Sequence, residues 1–478
     1  MIKPEKDRNQ HTFFSTFEEQ LDKKHPLFAL ANKIDWANFE KEFSKLYHGS
    51  MGRPAKPIRL MVGLILLKHI RNISDESVVE QWRENSYYQY FCGEMKFVIK
   101  APCEASELVH FRKRIGEKGM QLIWGESIRI AKEITEKKDK QRKSKEGKKD
   151  NDKGNDNGVP QIEKAFKENE VIIDTTVQEK NITYPTDLKL HRKIIKNCVD
   201  ISEEEGIELR QSYTRTVKKH LYQQRFRKTK KQRAKALKAA RQIKTIAGRL
   251  VRELFRKLNP LQLAKYTKEL ELYKRVLQQK REDKNKVYSI HEPHTECISK
   301  GKEHKKYEFG NKVSIVIGKS TGIVFGALSL EKNEYDGHTL PKALQQFKEI
   351  NGYEPKRALV DKGYKGIDKV GETEVIRPDS GRAKSRYMRT KMRKDHRKRA
   401  GVEAKISHLK NDFRMDRNYY KGIVGDKINV FLAAASMNLK IWMNYYKRRV
   451  KYFWLNLIML LRMISGYIFI EKLKIQTA

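Results

Sequence analysis

Apolar and polar positions in the first part of the chain recur with a helical period. The stretch "IRLMVGLILLKHIRN" (Ile58–Asn72) is apolar on nearly all sides, which predicts a helix buried in a core. The later stretch "SELVHFRKRIGEKG" predicts a helix whose basic face contains Arg112, Lys113 and Arg114. Short helices that end in a basic one are typical of helix-turn-helix DNA binders, so we predict a helical DNA-binding domain over residues 1–135. A helical packing or dimerisation domain would give the same pattern.

A charged stretch then interrupts this pattern. Residues 136–165 begin with "EKKDKQRKSKEGKKDNDKGNDNG", which contains no aliphatic or aromatic residue. Such a stretch cannot bury a core, and it is typical of disorder. We therefore predict a disordered basic and polar linker between two domains.

After the linker, apolar residues group into short runs typical of strands. "EVIIDTT" is a run that ends near Asp174, and "KRALVD" is a run that ends at Asp361. Between them, "KVSIVIGKSTGIVFGALSL" predicts a hairpin that turns at "GKSTG". Helical patterns follow both the hairpin and the last strand. The order of elements predicts an α/β fold, a mixed sheet with flanking helices, over residues 166–446.

A basic helical hairpin is predicted to interrupt this sheet at about residues 200–285. Its first helix places Ile243, Ile246, Leu250 and Leu254 at a spacing of three to four residues. A phosphate-contacting arm and a solvated pair of helices both fit this pattern.

The last segment, residues 447–478, is an apolar tail of unknown role. Within it, Val450–Ile470 is long enough to span a bilayer. Arg462 lies near the middle of that stretch, where it would cost about 2.5–3.5 kcal/mol. A membrane span is therefore unfavourable, and we expect a helix packed on the body of the protein.

The charge of the chain narrows the class of partner. Lys and Arg number 103 against 60 Asp and Glu in 478 residues, a formal net charge of +43. An excess of this size indicates a polyanionic partner, most simply nucleic acid. A composition biased toward lysine for other reasons is the alternative.

The spacing of the cysteines gives no evidence for a metal site. The four cysteines form no C-x-x-C pair, and their spacing matches no zinc site. We expect reduced thiols in a cytosolic protein.

The acids at the strand ends carry the candidate chemistry. Asp174 and Asp361 each follow an aliphatic run, and acids at strand ends of an α/β sheet lie where such sheets place their sites. Glu403, on a later helix, can reach the same edge. Three carboxylates with open positions suit Mg²⁺, which prefers oxygen ligands. An acid at a strand end is also a common turn former, and a Glu on a basic helix is a common ion-pair partner.

The helix that contains Glu403 places bases beside this acid. On a helical wheel, His396, Arg399, Glu403 and Lys410 fall within roughly 60° of one another. We therefore expect His396, Arg399 and Lys410 to hold phosphates near a metal-binding Glu403. Other acids compete for the site, namely Asp187, Asp336 and Asp368.

These motifs together resemble the DDE transposases of bacterial insertion sequences. One large group of them shows the signature Tyr, two residues, Arg, three residues, Glu, six residues, Lys. Arg399, Glu403 and Lys410 match it in type and spacing, whereas His396 stands at the Tyr position. Further similar stretches are "VIIDTTVQEKNITYPTD", "HEPHTECISKGKEHKKYEFGNKVSIV", "NEYDGHTL" and "ALVDKGYKG".

The resemblance implies an RNase H-like catalytic domain with Asp174, Asp361 and Glu403 as its metal-binding triad. It implies Mg²⁺, with Mn²⁺ able to substitute, and double-stranded DNA as partner, both terminal inverted repeats and target. It further implies a homodimer or larger synaptic complex in the bacterial cytoplasm, associated with the nucleoid. A metal-dependent nuclease that cuts without joining, and a non-catalytic or decayed DNA-binding protein, are the alternatives.

Overall fold

The N-terminal part of the chain is helical, as predicted. The computed structural model describes residues 16–48, 54–146, 167–280, 282–299, 306–378 and 385–476. The helices of this part are α1 (Phe17–Gln20), α2 (Pro26–Ala31), α3 (Trp36–Ser44), α4 (Ile58–Arg71), α5 (Asp75–Glu84), α6 (Ser86–Phe91) and α7 (Ala105–Glu146). The apolar helix α4 is buried along most of its length, because it packs inside the other helices.

The boundary predicted for the linker is wrong at its start. Helix α7 continues through residues 136–146, with a kink at Gly116, whose combination of φ 57° and ψ −157° is readily adopted only by glycine. Residues 147–165 of the predicted linker lie outside the described residues.

The second part of the chain forms the predicted mixed sheet. Its strands are β1 (Glu170–Lys180), β2 (Glu296–Ser299), β3 (Tyr307–Gly318), β4 (Val324–Ser329), β5 (Arg357–Leu359), β6 (Lys369–Val370), β7 (Thr373–Ile376) and β8 (Arg417–Asn418). The order is β2-β3-β1-β5-β7-β6, with β4 paired to β3 and β8 to β1. The β3–β4 hairpin turns at "GKSTG", as its sequence predicts.

Strand β1 lies at the centre of this sheet. It pairs antiparallel with β3 and parallel with β5. The remaining helices are α8 (Asp187–Glu204), α9 (Thr214–Gln223), α10 (Lys230–Lys257), α11 (Pro260–Gln278), α12 (Asp336–Asn351), α13 (Arg386–Asn411) and α14 (Gly422–Gln476).

The N-terminal helices and the sheet share one continuous core. Trp124 of α7 is fully buried, stacks on Phe431 of α14 and donates its indole N–H to the Val324 carbonyl of β4. Asn438 of α14 exchanges two hydrogen bonds with the backbone of Val324, at 2.8 and 3.0 Å. These contacts connect both α7 and α14 to strand β4. The N-terminal helices are therefore not a separately packed unit.

The helical insertion, in contrast, has a hydrophobic core of its own. Helices α8 to α11 pack together around Ile243, Leu250, Leu254 and Tyr273. The predicted start near residue 200 is wrong, since α8 already begins at Asp187, just after β1.

The apolar C-terminal segment continues α14 up to Gln476. Within the described residues, no helix combines the length and the apolarity needed to cross a membrane.

Replacing Trp124 by Ala tests the shared core. We expect a loss of about 3–5 kcal/mol in the free energy of unfolding, because a fully buried indole leaves a cavity between α7, α14 and β4. Equilibrium urea unfolding measures the effect. The same substitution at Trp454, which is 41% exposed, is the control and should leave the urea midpoint unchanged. Equal losses for both variants would contradict the shared core.

Candidate active site

The pairing of β1 with β5 brings two of the predicted acids to the same level of the sheet. Ile172 pairs with Leu359 in the parallel register, and Asp174 and Asp361 each follow two residues later. Asp361 lies just beyond the end of its strand, as predicted. Asp174, however, is not at a strand end, because β1 continues to Lys180.

Arg399 of α13 reaches both of these aspartates. Its Nη2 lies 3.9 Å from Asp174 Oδ2 and 3.4 Å from Asp361 Oδ1. These two distances together limit the separation of the two oxygens to about 7.3 Å. The guanidinium is largely buried, and its Nε finds no hydrogen-bond partner among the described residues. One cation therefore compensates part of the charge of two carboxylates in a partly enclosed place.

Glu403 lies one helical turn beyond Arg399 on the same helix, with an exposed side chain. Residues four apart share a face of a helix, so Glu403 is on the side of α13 that faces the aspartates. Within the described residues, no three His, Cys, Asp or Glu side chains are grouped closely enough to hold a metal ion. The structure thus brings Asp174 and Asp361 to one guanidinium, and the three predicted acids do not form a group of this kind among the described residues.

A third aspartate lies beside the pair. Asp336, in the first turn of α12, accepts a hydrogen bond of 2.9 Å from the Thr175 hydroxyl and lies 3.0 Å from Lys312 Nζ. Thr175 is the neighbour of Asp174 in β1. The sequence analysis named Asp336 only as a competing acid. Its position in "NEYDGHTL", at the start of a predicted helix, was the feature that could have placed it near the pair.

The loop after Asp361 packs against the same motif. The Tyr335 hydroxyl donates to the Gly363 carbonyl and accepts from the Lys365 amide at 3.0 Å. Tyr364 is buried at 1% exposure, and its pKa is raised first by burial and then by the charges of Asp336 and Asp174. Tyr364 therefore stays neutral, and its buried ring lies near the carboxylates.

Helix α13 is fixed to the sheet by a cluster of four charged residues. Lys319, in the β3–β4 turn, lies 2.7 Å from Glu170 and 2.5 Å from Asp395. Arg357 of β5 contacts Glu170 as well and lies 3.3 Å from Asp395. Because Asp395 precedes Arg399 by one helical turn, this cluster positions the part of α13 that contacts the aspartates.

The protonation of this cluster follows from its contacts. Burial would raise the pKa of Asp395 and of Glu170, but Lys319 and Arg357 outweigh it and hold both pKa values below their usual range. Burial lowers the pKa of Lys319, yet its two carboxylate partners raise it overall. Glu170, Asp395 and Lys319 are therefore charged at neutral pH.

The other predicted phosphate-binding residues of α13 are differently placed. His396 is exposed and lines a small cleft with Arg399, Leu359 and Val360. Lys410 is half-buried near the end of the helix, about 16 Å along the axis from Arg399. His396 is thus adjacent to the aspartate pair, whereas Lys410 is three turns away.

The basic face predicted for the N-terminal helix is only partly on the surface. Arg112 is buried, with two hydrogen bonds of 2.7 Å to Asp75, and its guanidinium covers the Tyr420 ring at 4.6 Å. A phosphate contact by Arg112 is therefore excluded by its buried ion pair. Lys113 and Arg114 are exposed, the latter over the ring of Tyr47.

The remaining competing acids have local roles. Asp187, in the first turn of α8, is 3.9 Å from Lys286. Asp368 forms an ion pair with Arg377 in the turn region before β7. Neither contacts the aspartate pair in the structure.

The donor set of the pair fits a hard divalent cation. Asp174 and Asp361, which share the Arg399 guanidinium, offer carboxylate oxygens only. Oxygen ligands with room for water are what Mg²⁺ and Mn²⁺ prefer.

Comparison with known proteins bears on two regions of the chain. The protein-family model named Transposase domain (DUF772) matches residues 15–114. The family model named Transposase DDE domain matches residues 277–439. The second match contains Asp361, Arg399 and Glu403, while Asp174 precedes it. "Uncharacterized protein ORF8 in nfe locus" of Rhizobium meliloti is 38% identical over 207 residues, which cover 42% of this chain and 87% of that protein. No solved structure matches.

Replacing Lys319 by Met tests the cluster that fixes α13. We expect a loss of roughly 1–3 kcal/mol in the free energy of unfolding at pH 7, because two carboxylates lose their shared donor. Since the pKa values of Glu170 and Asp395 are lowered by folding, their stabilisation is present above the unfolded values and is lost as pH falls through the folded ones. The difference between variant and parent should therefore shrink in acid.

Urea unfolding at pH 7 and at about pH 3.5, near the usual pKa values of carboxyls, measures both parts of this prediction. Lys348→Met removes an exposed lysine from its pair with Glu354 and serves as the control, with no expected change in midpoint. A Lys319 variant that matches this control would show that the cluster does not hold α13.

Proposed function

The chain belongs to the DDE transposases, and from this premise we propose that it cuts DNA at the ends of its element and joins the 3′-hydroxyls to target DNA. Its mixed sheet is the RNase H-like fold of this family. The proposal depends most on one observation, the convergence of Asp174 and Asp361 on a single guanidinium at neighbouring parallel strands.

The proposed metal ligands are Asp174 and Asp361, with Glu403 as the third acid. Divalent ions bound there would activate water and stabilise charge on the attacking and leaving oxygens of a phosphodiester. Glu403 is on the face of α13 next to Arg399, and the proposal requires a change in the side chain or in the helix that brings it to the pair.

Arg399 has two proposed roles. Without a metal ion, its guanidinium compensates part of the charge of the two aspartates and so reduces the repulsion between them. When a cation supplies that charge, the same guanidinium is available to a DNA phosphate, to which it can offer paired donors. His396, exposed in the adjacent cleft, would contact a neighbouring phosphate.

Lys410, Lys113 and Arg114 are proposed to bind DNA farther from the cut. Their side chains are at least partly accessible, and contacts of this kind position a duplex without reading its sequence. Terminal inverted repeats are the proposed specific ligand, and assembly of two ends would require at least a dimer.

Asp361→Asn and Glu403→Gln test the proposed acids. Each should lower strand cleavage and joining by roughly a thousandfold, because loss of a metal ligand removes several kcal/mol of transition-state stabilisation. Binding of end DNA should persist. The substrate is labelled DNA with the inverted repeats that flank the coding region, incubated with Mg²⁺ and resolved on a denaturing gel.

Asp368→Asn is the matched control, since Asp368 is an exposed acid seven residues after Asp361 whose partner is Arg377. It should cleave and join normally. Full activity of the Glu403 variant would remove Glu403 from the site, and cleavage without joined products would favour a nuclease instead.

A further inference from the structure

The insertion concentrates positive charge on helices that pack on a hydrophobic core of their own. Residues 214–257, which form α9 and α10, contain 17 Lys and Arg and a single acid, Glu253. All 17 of these cationic residues are exposed. Within this described stretch, Lys257 is the one cation that forms an ion pair, with Glu253. The charge therefore remains available to an external anion.

The cations of α10 form a stripe opposite its buried face. Ile243, Leu250 and Leu254 lie on the buried side. At 100° per residue, seven cations fall within an arc of about 100° on the other side of the helix. They are Lys230, Lys231, Lys238, Arg241, Arg249, Arg252 and Arg256. The stripe extends over about 40 Å, a length that suits a nucleic-acid backbone better than a small anion.

Two aromatic rings are exposed where α9 turns into α10. Tyr222 is 60% exposed and Phe226 is 45% exposed, and their ring centroids lie 5.1 Å apart at 69°. Exposed aromatic rings cost hydration free energy unless something covers them in use. Arg225, Arg227 and Lys228, all exposed, surround the pair in sequence.

The exposure of these rings is a feature of an ordered turn. Thr229 caps α10 and exchanges two hydrogen bonds of 3.2 Å with Gln232. Arg233 donates to the Arg227 carbonyl at 2.9 Å, and the buried Gln224 bonds the Ala236 carbonyl. The turn is therefore built to present the two rings outward.

We propose that this arm, α9 and α10 with their turn, binds single-stranded DNA, with bases stacked on Tyr222 and Phe226 and phosphates along the α10 stripe. Every base has a face that can stack on an aromatic ring, while bases inside a duplex are covered by their neighbours. An aromatic pair within a cationic surface therefore selects unpaired over paired nucleotides. The inference rests on the proposed function only in taking DNA as the ligand.

Tyr222→Leu with Phe226→Leu in the full chain tests the stacking. Leucine keeps apolar area but removes the ring faces. Fluorescence anisotropy in EDTA, where no strand is cut, compares a 30-nucleotide single strand with a blunt duplex of the same sequence. We expect affinity for the single strand to fall about tenfold, within the range of one or two lost stacking contacts, and duplex affinity to change by less than twofold.

Leu237→Ala is the matched control, because Leu237 is a 61% exposed apolar residue on the same helix and has no ring. It should bind both DNA forms like the parent. Unchanged binding by the double leucine variant would overturn the inference, as would an equal loss on both DNA forms. After either result, the rings would be assigned a role in binding a protein partner or in the structure of the turn.

Arg241→Gln, Arg249→Gln and Arg252→Gln combined test the stripe. The slope of log affinity against log salt for the single strand should fall by about 2, since each lost phosphate contact contributes about 0.7. An unchanged slope would remove the stripe from the interface.

These results can be separated from those on strand cutting. Asp361→Asn should bind the single strand like the parent. Normal cleavage with no effect of the arm variants would overturn only this inference. An effect of the arm variants in a chain that never cuts or joins DNA would support this inference and overturn only the proposed function.

Discussion

Two carboxylates at the same level of neighbouring parallel strands impose the main constraint on this fold. The pairing of Ile172 with Leu359 places Asp174 and Asp361 side by side, where their like charges repel in a partly dehydrated place. A cation has to lie between them, and among the described side chains Arg399 provides one. Helix α13 thus supplies a charge that β1 and β5 require at this edge of the sheet, and Glu403 follows one turn later.

The Arg399 contacts alone would fix α13 loosely, since 3.4 and 3.9 Å are long for charged hydrogen bonds. The shorter contacts of Lys319 with Glu170 and Asp395 give the helix its position. The β3–β4 turn therefore does more than reverse the chain. It places a lysine between the start of β1 and α13, so a modest rearrangement at Arg399 can occur while the helix stays in place.

The sequence predicted best what depends on local pattern. The β3–β4 hairpin has a turn signal between two β-branched runs, and Asp361 follows a short aliphatic strand, so both were found. Strand β1 was predicted too short because Thr176, Gln178 and Lys180 are polar residues that are nevertheless buried. Their partners, such as Asp426 for Lys180, lie far along the chain, where no local pattern reveals them.

Of two further differences, the first has the same origin and the second has a local one. Arg112 looked like part of an exposed basic face, but its partner Asp75 lies 37 residues earlier and the Tyr420 ring covers it from the segment between β8 and α14. A pattern of charges does not tell a solvated cation from a buried pair. The extension of α7 into the linker follows from composition, since Lys, Glu, Gln and Arg continue a helix well once packing has begun it.

The base of the insertion connects its arm to the strand that contains Asp174. Lys180, at the end of β1, is buried 2.6 Å from Asp426 and 3.1 Å from Glu292. Asp426 lies in the first part of α14, and Glu292 lies in the segment that leaves the insertion. Removing either acid would leave a buried lysine only partly compensated, so the three segments are held together strongly. Beyond this base the insertion packs on its own core, and the chain connects it to the sheet at the end of β1 and the start of β2, not at the β1–β5 pairing itself. The carboxylate geometry can therefore persist while the arm engages a large and variable polyanion.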